Sequence, residues 1–198
     1  MDQFHTPERT WSAAEVAQLL TGRSALGDLD ATMAERVVRR MQGMRFPRGT
    51  VIFQEGARNS DTMLLLLSGE VSVECRGLAG SDALMLGSKG PGHVIGEVGL
   101  IDGATRSASC VAFSDVACAV LTRDALRALS EDEPLVAFRL LAVLHAVTAG
   151  HMRHMMNRLR HLKATLPPDL TPRPDQVQVR REAPAGPPPP AVGFIRLD

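Results

Sequence analysis

The chain has 198 residues and carries 22 basic (Lys, Arg) and 22 acidic (Asp, Glu) side chains, so its formal net charge is zero. Without an excess of positive charge it has no overall electrostatic attraction to nucleic acid or to an anionic membrane, and non-specific DNA binding is disfavoured. The length is typical of one domain with its own core plus additional segments.

The cysteines and the N-terminal residues indicate a soluble cytoplasmic protein. Cys75, Cys110 and Cys118 are odd in number and lack Cys-x-x-Cys and zinc-ligand spacing, so we expect buried thiols in a reducing compartment. Residues 1–20 lack the basic start and apolar run of a leader, and no window of about 18 apolar residues is evident. We therefore expect no membrane association.

Two helices are predicted near the N-terminus. Apolar residues recur at helical spacing over 11–20 and 29–41. Asp28 and Asp30 are candidate N-caps of the second helix, and Gly43 is predicted to close it.

Short β-prone runs begin at Phe46. Glycine or polar turns separate them, and evenly spaced short strands of this kind indicate a small sandwich, jelly roll or barrel. The predicted strands are 50–53, 62–67, 70–74, 83–86, 93–95, 109–113 and 116–121, with turns at Gly49, Gly56, 68–69, 77–80 and 90–92.

Two further helices are predicted to close the domain. Thr122 is a candidate N-cap for 123–129, and Pro134 falls in the first turn of a longer helix that reaches about Lys163. Two sets of positions in that helix repeat every seven residues, which predicts a parallel homodimer through residues 138–162. The alternative is that this stripe packs against the chain's own barrel. The two sets are Phe138, His145, Met152 and Leu159, and Leu141, Thr148, Met155 and Leu162.

The composition changes after Lys163. Nine of the 13 prolines follow it, which predicts a disordered or polyproline tail. Residues 192–197 are mildly apolar, typical of a docking peptide or, more simply, of an inert terminus. The predicted fold is mainly β with flanking α: an antiparallel jelly roll with N-terminal helices and a long C-terminal helix. Its segments are helical 1–45, β-roll 46–133, long helix 134–163 and tail 164–198.

The stretch 96–109 carries the chemistry. After a strand that ends at Ile95 comes a turn of helix bounded by glycines, whose outward backbone amides suit an anion. Arg106 supplies a planar fork that matches two phosphate oxygens, Glu97 accepts a hydrogen bond from a ribose hydroxyl, and Ser107 adds a hydroxyl donor. Without a ligand, the same Glu and Arg are also explained as a salt bridge at a surface turn.

This stretch resembles the phosphate-binding cassette of the cyclic-nucleotide-binding domain family, found in catabolite-activator-type regulators, protein kinase A regulatory subunits and cyclic-nucleotide-gated channels. The resemblance extends in order from about residue 29 to 162. It rests on Gly96-Glu97, Gly99-Leu100 and Arg106-Ser107-Ala108, with supporting matches at 46–52, 54–56, 64–71 and 90–95.

The resemblance implies a role for each matched residue. Arg106 is expected to grip the exocyclic phosphate oxygens, and Glu97 to bind the ribose 2′-hydroxyl. Backbone amides and small side chains complete the phosphate cradle, and two apolar side chains form walls for the base. These further residues are Gly96, Gly99, Leu100, Ser107 and Ala108 for the cradle, and Leu86 and Val98 for the walls.

Two departures from the family pattern qualify the expected ligand and output. The adenine-reading Thr-Ser pair of the bacterial activators is replaced by His151 and Met152, so His151 is a candidate ligand contact or a solvated helix residue. We expect cAMP first and cGMP second, because Ser107 offers a hydroxyl for guanine. A helix-turn-helix segment does not follow the long helix, so we expect no direct DNA binding and action through an unidentified effector protein.

Two other functions are compatible with a jelly-roll fold. A cupin-type metal enzyme needs several histidines converging from neighbouring strands, and His93 alone lies in the strand region. A scaffold that has lost its ligand would not need intact Glu97 and Arg106. With no P-loop, kinase signature or paired carboxylates, we expect no enzymatic activity, no metal and no cofactor.

Overall fold

The computed structural model describes residues 10–22, 29–58, 61–76, 84–165 and 193–195. Three features predicted from the sequence lie outside them: the Asp28 cap, the 77–80 turn and most of the proline-rich tail. The described helices are α1 Ala13–Gly22, α2 Ala31–Val38, α3 Glu97–Asp102, α4 Arg123–Asp132 and α5 Pro134–Thr165. The described strands are β1 Gln42–Phe46, β2 Val51–Phe53, β3 Thr62–Ser68, β4 Val71–Cys75, β5 Leu84–Lys89, β6 Val94–Ile95, β7 Ser109–Ala112, β8 Val116–Thr122 and β9 Phe194–Ile195.

Side-chain caps fix where three helices begin. Ser12 and Glu15 form a capping box at α1, in which Ser12 N donates to Glu15 Oε2 at 2.9 Å. Asp30 Oδ1 accepts from the Met33 amide at 2.8 Å at α2. Thr122 Oγ1 accepts from the Ala125 amide at 3.1 Å at α4. The caps predicted at Asp30 and Thr122 are confirmed.

The end of α2 differs from the prediction. α2 ends at Val38, and Gly43 lies inside β1 rather than closing the helix. β1 pairs along its whole length with β8, so a strand far away in sequence holds this segment extended. Local spacing carries no information about such a partner. The strand region therefore begins at Gln42 and not at Phe46.

Antiparallel pairing joins the described strands into two sheets. One has the order β6-β3-β8-β1-β9, and the other has the order β2-β7-β4-β5. The helices pack on the outer face of the first sheet, while the second sheet covers its inner face. This arrangement confirms the predicted jelly roll with flanking helices and a long C-terminal helix.

Strand β3 contributes to both layers of the core. Its residues 63–67 are all buried. Met63, Leu65 and Leu67 pack in the cluster shared with the helices, whereas Leu64 and Leu66 pack in the cluster between the sheets. Alternate residues of a strand point to opposite faces, so a strand covered on both faces needs a continuous apolar run.

Helix α5 has two apolar faces. The inward face lies in the core shared with the sheet and is formed by Val136, Leu140, Val143, Leu144 and Val147. The predicted seven-residue stripe is on the other face, where Phe138, Met152 and Leu159 are 67%, 64% and 59% exposed. The alternative in which this stripe packs against the chain's own barrel is therefore wrong.

Helix α5 also has the length and composition of a membrane-spanning helix over Pro134–His161. This corrects the expectation that the sequence contains no sufficiently apolar window. The core helix of a soluble protein passes the same test, and one face of α5 is buried in the domain. A single such helix is weak evidence for a membrane span.

Two of the three cysteines, Cys110 and Cys118, are buried as predicted, whereas Cys75 is not. Cys110 and Cys118 are 5% and 0% exposed, and burial raises the pKa of each thiol to about 12. Cys75 is half-buried, and all three thiols are free. Cys110 and Cys118 serve as small apolar side chains between the sheets.

The C-terminal residues form the outermost strand of the larger sheet. In β9, Phe194 lies opposite Met44 and Ile195 lies opposite Gly43. The interpretation of 192–197 as an inert terminus is therefore wrong for the residues that the structure describes.

Candidate functional site

Two glycines fix the ends of the short helix α3. Strand β6 pairs with β3 and ends at Ile95. The next residue, Gly96, has a left-handed conformation with φ of 78°. Gly103 ends the helix with φ of 69°, and its amide donates to the Gly99 carbonyl at 3.0 Å. Side chains other than glycine rarely adopt these angles, so the glycine-bounded turn predicted from the sequence has a conformational cause.

Gly96 is also required by close packing. A Cβ at this position would lie 2.6 Å from Arg106 Nη1 and 2.7 Å from Phe53 Cε2. The missing side chain therefore allows the guanidinium and the aromatic ring to reach the backbone at the start of α3.

Arg106 is 5% exposed, and its side chain lies inside the domain. Nη1 donates to the Gly96 carbonyl at 3.0 Å, and Nη2 donates to the carbonyl and hydroxyl oxygens of Thr62 at 2.8 and 2.9 Å. The guanidinium carbon lies 3.7 Å from the centre of the Phe53 ring. These contacts hold the cation at the junction of β2, β3 and the start of α3.

The backbone of Arg106 is fixed as firmly as its side chain. Its amide donates to the Ala57 carbonyl at 2.9 Å, and its carbonyl accepts from the Gly56 amide at 2.8 Å. Burial lowers the pKa of Arg106 from its usual value, opposed by the negative charges of groups that include Asp61 and Glu97. The site therefore holds a desolvated cation beside a carboxylate.

Glu97 is the first residue of α3 and is also 5% exposed. Its Oε1 lies 3.1 Å from Nδ1 of His151, which reaches the site from α5. His151 is partly solvated, with 44% of its side chain exposed, and its ring also contacts the carboxylate that the resemblance assigns to the ribose. The explanation of Glu97 and Arg106 as a surface pair is wrong, because both residues are buried.

A second contact from α5 reaches the opposite side of the site. Arg158 Nη1 donates to the Leu86 carbonyl in β5 at 2.9 Å. Together with His151, it places two turns of α5 against the strand and the short helix that flank the site. Leu86 itself is half-buried.

Of the remaining predicted residues, some are exposed or half-buried and others are buried in the core. Ser107 is exposed, and Val98 and Ala108 are half-buried. Leu100 is 1% exposed, packs in the core, and donates its amide to the Gly96 carbonyl at 3.3 Å. Gly99 is buried, and its carbonyl accepts from Arg123 Nη2 at 2.6 Å. Leu100 and Gly99 thus hold α3 on the domain, through the core and through Arg123 respectively.

Sequence reasoning missed four residues that position the site. Phe53 and Thr62 hold the Arg106 guanidinium, Arg123 binds the end of α3, and Arg158 ties α5 to β5. Each is remote in sequence from its partner and has no motif of its own. The one sequence feature that pointed to this region was the predicted turn at Gly56, whose amide donates to the Arg106 carbonyl.

Within the described ranges, no group of three or more His, Cys, Asp or Glu side chains is placed to share a metal ion.

The family model of the cyclic nucleotide-binding domain matches residues 44–133, which extend from within β1 to the end of α4 and include the whole of α3. A solved cyclic nucleotide-binding domain from Methylobacillus flagellatus is 31% identical with a TM-score of 0.67, and the match covers 78% of this chain and 85% of that one. The chain belongs to the cyclic nucleotide-binding domain family. Its domain is therefore a regulatory, cyclic nucleotide-binding module.

Two relatives come from Thermus thermophilus. The chain is 37% identical over 99 residues to the Cyclic AMP receptor protein, a match that covers 50% of this chain and 45% of the relative. It is 30% identical to the solved Catabolite Activator Protein with a TM-score of 0.58, covering 73% of this chain and 63% of that one. This chain thus spans about half the length of the first relative and under two thirds of the second.

Gly96→Ala is expected to lower the free energy of unfolding by about 1–3 kcal/mol, because alanine is strained at φ of 78° and its methyl group would meet Arg106 and Phe53. Urea denaturation measures the change. Gly22→Ala is the control, since a Cβ there meets no atom within 4 Å, and it should leave stability unchanged or raise it by up to about 1 kcal/mol. Equal stability of the Gly96 variant and the wild type would contradict this packing.

Proposed function

We propose that this protein is a cyclic nucleotide sensor, with cAMP as its first ligand and cGMP as its second, that acts through a partner protein and has no catalytic activity of its own. The observation that carries the proposal is the placement of Arg106 and Glu97, both buried, on the two sides of one glycine-capped turn. We expect the protein to work in the cytoplasm.

The phosphate role of Arg106 is supported by its preorganisation. A guanidinium fork matches two phosphate oxygens, and a cation already removed from water interacts more strongly with an anion than an exposed one does. In this structure its Nη atoms donate to carbonyl and hydroxyl oxygens of Gly96 and Thr62. A phosphate is a stronger acceptor than these neutral oxygens, so binding would draw the guanidinium toward the ligand at the start of α3.

The ribose role of Glu97 is supported by its geometry, and it introduces a competition. Glu97 Oε1 is held by His151 Nδ1 at 3.1 Å. A ribose 2′-hydroxyl that donates to Glu97 would compete with the imidazole for the same carboxylate. Nucleotide binding would then release His151, and with it a contact that holds the C-terminal half of α5 on the domain.

This competition gives a route from ligand to output. A ligand shifts a conformational equilibrium only through its different affinity for the two states. The state with His151 on Glu97 binds a ribonucleotide less well, so the nucleotide favours the state in which α5 is free to move. The moved helix, or the tail that follows it, would be read by the effector protein.

The exposed stripe of α5 supports a homodimer. Phe138, Met152, Met155 and Leu159 are each more than half exposed, which is costly for apolar side chains unless they are covered by a partner. A second copy of α5 would cover them at coiled-coil spacing.

Arg106→Ala is expected to reduce the affinity for cAMP by about 30-fold or more, because the phosphate loses its charged partner at a cost of roughly 2–5 kcal/mol. Calorimetric titration with cAMP and cGMP measures affinity and ranks the two ligands. Arg127→Ala, which removes an exposed arginine on α4, is the matched control and should bind normally. Unchanged affinity in a folded Arg106 variant would place the ligand pocket elsewhere.

His151→Ala is expected to raise the affinity for cAMP by about fivefold, since one competing hydrogen bond worth about 1 kcal/mol no longer holds Glu97. The affinity for 2′-deoxy-cAMP, which lacks the hydroxyl that would donate to Glu97, should change by less than about twofold. Calorimetry with both nucleotides tests this, with the exposed His154→Ala as control. A fall in cAMP affinity would instead indicate that His151 contacts the base, and the competition would be refuted.

Met152→Glu is expected to convert a dimer into a monomer of 21.3 kDa, because it places like charges in the centre of the seam. Sedimentation equilibrium measures the mass. Arg153→Glu introduces the same side chain one position away, off the stripe, and should leave the dimer intact. A monomeric wild-type protein at micromolar concentration would rule the dimer out.

A further inference from the structure

The outer edge of β1 is a row of backbone amides and carbonyls, and β9 of the same chain covers it. β1 pairs with β8 on one side, and β9 lies on its other side at the end of the sheet order β6-β3-β8-β1-β9. Without β9, the outward amides and carbonyls of β1 would form an exposed strand edge. Exposed edges are templates for pairing with other chains, so covering one has a functional consequence.

The hydrogen-bond register of β9 is defined. The Arg45 amide donates to the Gly193 carbonyl at 3.2 Å. Bonded and non-bonded pairs alternate in an antiparallel ladder, so the Met44 and Phe194 pair is non-bonded and the Gly43 and Ile195 pair is the next bonded one. This register predicts two bonded pairs between the segment and β1, separated by one non-bonded pair.

The attached residues are suited to strand addition and to exchange. Phe194 and Ile195 are aromatic and β-branched, the types that favour extended structure. Gly193 has φ of 91°, a left-handed angle that turns the chain into the ladder. The strand is only two residues long, and short ladders of this kind open and close readily.

We infer that the outer edge of β1 is a strand-addition site whose occupant is the C-terminal segment 193–195 of the same chain, held in exchange with a released state. Residues 166–192 join α5 to this segment, and a chain of that length reaches up to about 90 Å. The return from the end of α5, a helix about 48 Å long, is therefore within reach. The tail is anchored at both of its ends, and the β1 edge is withheld from other strands. This inference is independent of the proposed nucleotide function.

Hydrogen exchange of the full-length protein tests the pairing. In the wild type the Arg45 amide should be protected, and Ile195→Pro should reduce that protection about tenfold, because proline removes a ladder donor. Ile195→Val keeps the donor and the β-branched shape and should exchange like the wild type. Equal exchange of Arg45 in the wild type and the proline variant would overturn the inference.

A peptide and a dilution series test the occupant. A labelled synthetic peptide of residues 190–198 should bind the full-length Ile195→Pro variant at least about tenfold more tightly than the wild type, whose edge is already occupied. Arg45 protection in the wild type should not change with protein concentration, as pairing within one chain requires. Protection that is lost on dilution would assign the strand to a second copy and overturn pairing in the same chain. Equal peptide binding to both proteins would overturn the strand-addition site.

Discussion

The guanidinium of Arg106 is buried, so the residues around it have to stabilise its positive charge. An unpaired buried charge costs several kcal/mol, so the site must supply oxygens and a polarisable surface. Gly96 and Thr62 provide the oxygens, and the Phe53 ring provides the surface at 3.7 Å. Because the guanidinium lies against the backbone at the start of α3, residue 96 has to be glycine. The carbonyl of Gly96 and the two oxygens of Thr62 thus all serve this one cation.

Glu97 connects the same site to the rest of the molecule. Its carboxylate lies at the start of α3, and His151 brings α5 to it across 54 positions of sequence. The ligand group that the family assigns to Glu97 is a hydroxyl donor, which is also what the imidazole offers. In the proposed switch, the ribose hydroxyl and the imidazole compete for this one carboxylate. The Arg158 contact with β5 holds the same helix from the other side.

The long helix and the C-terminal strand are two further features of the domain besides the candidate site. α5 buries Leu140 and Leu144 on the domain while it exposes Met152 and Leu159, so one face of the helix belongs to the core and the other is exposed. β9 covers the β1 edge at the far side of the sheet from β6, which leads into the cassette. The tail after α5 therefore connects the moving part of the proposed switch to a strand of the domain.

Local sequence patterns determined the strands, the caps and the glycine-bounded cassette, because alternation, capping side chains and left-handed glycines act over a few residues. Tertiary structure alone decided the rest. Gly43 became a strand residue because β8 pairs with it, and the terminal 194–195 became a strand because β1 had a free edge. Thr62, Phe53 and His151 became site residues because folding brought them to Arg106 and Glu97. Such contacts join residues tens of positions apart, and no local pattern records which distant partner a side chain will meet.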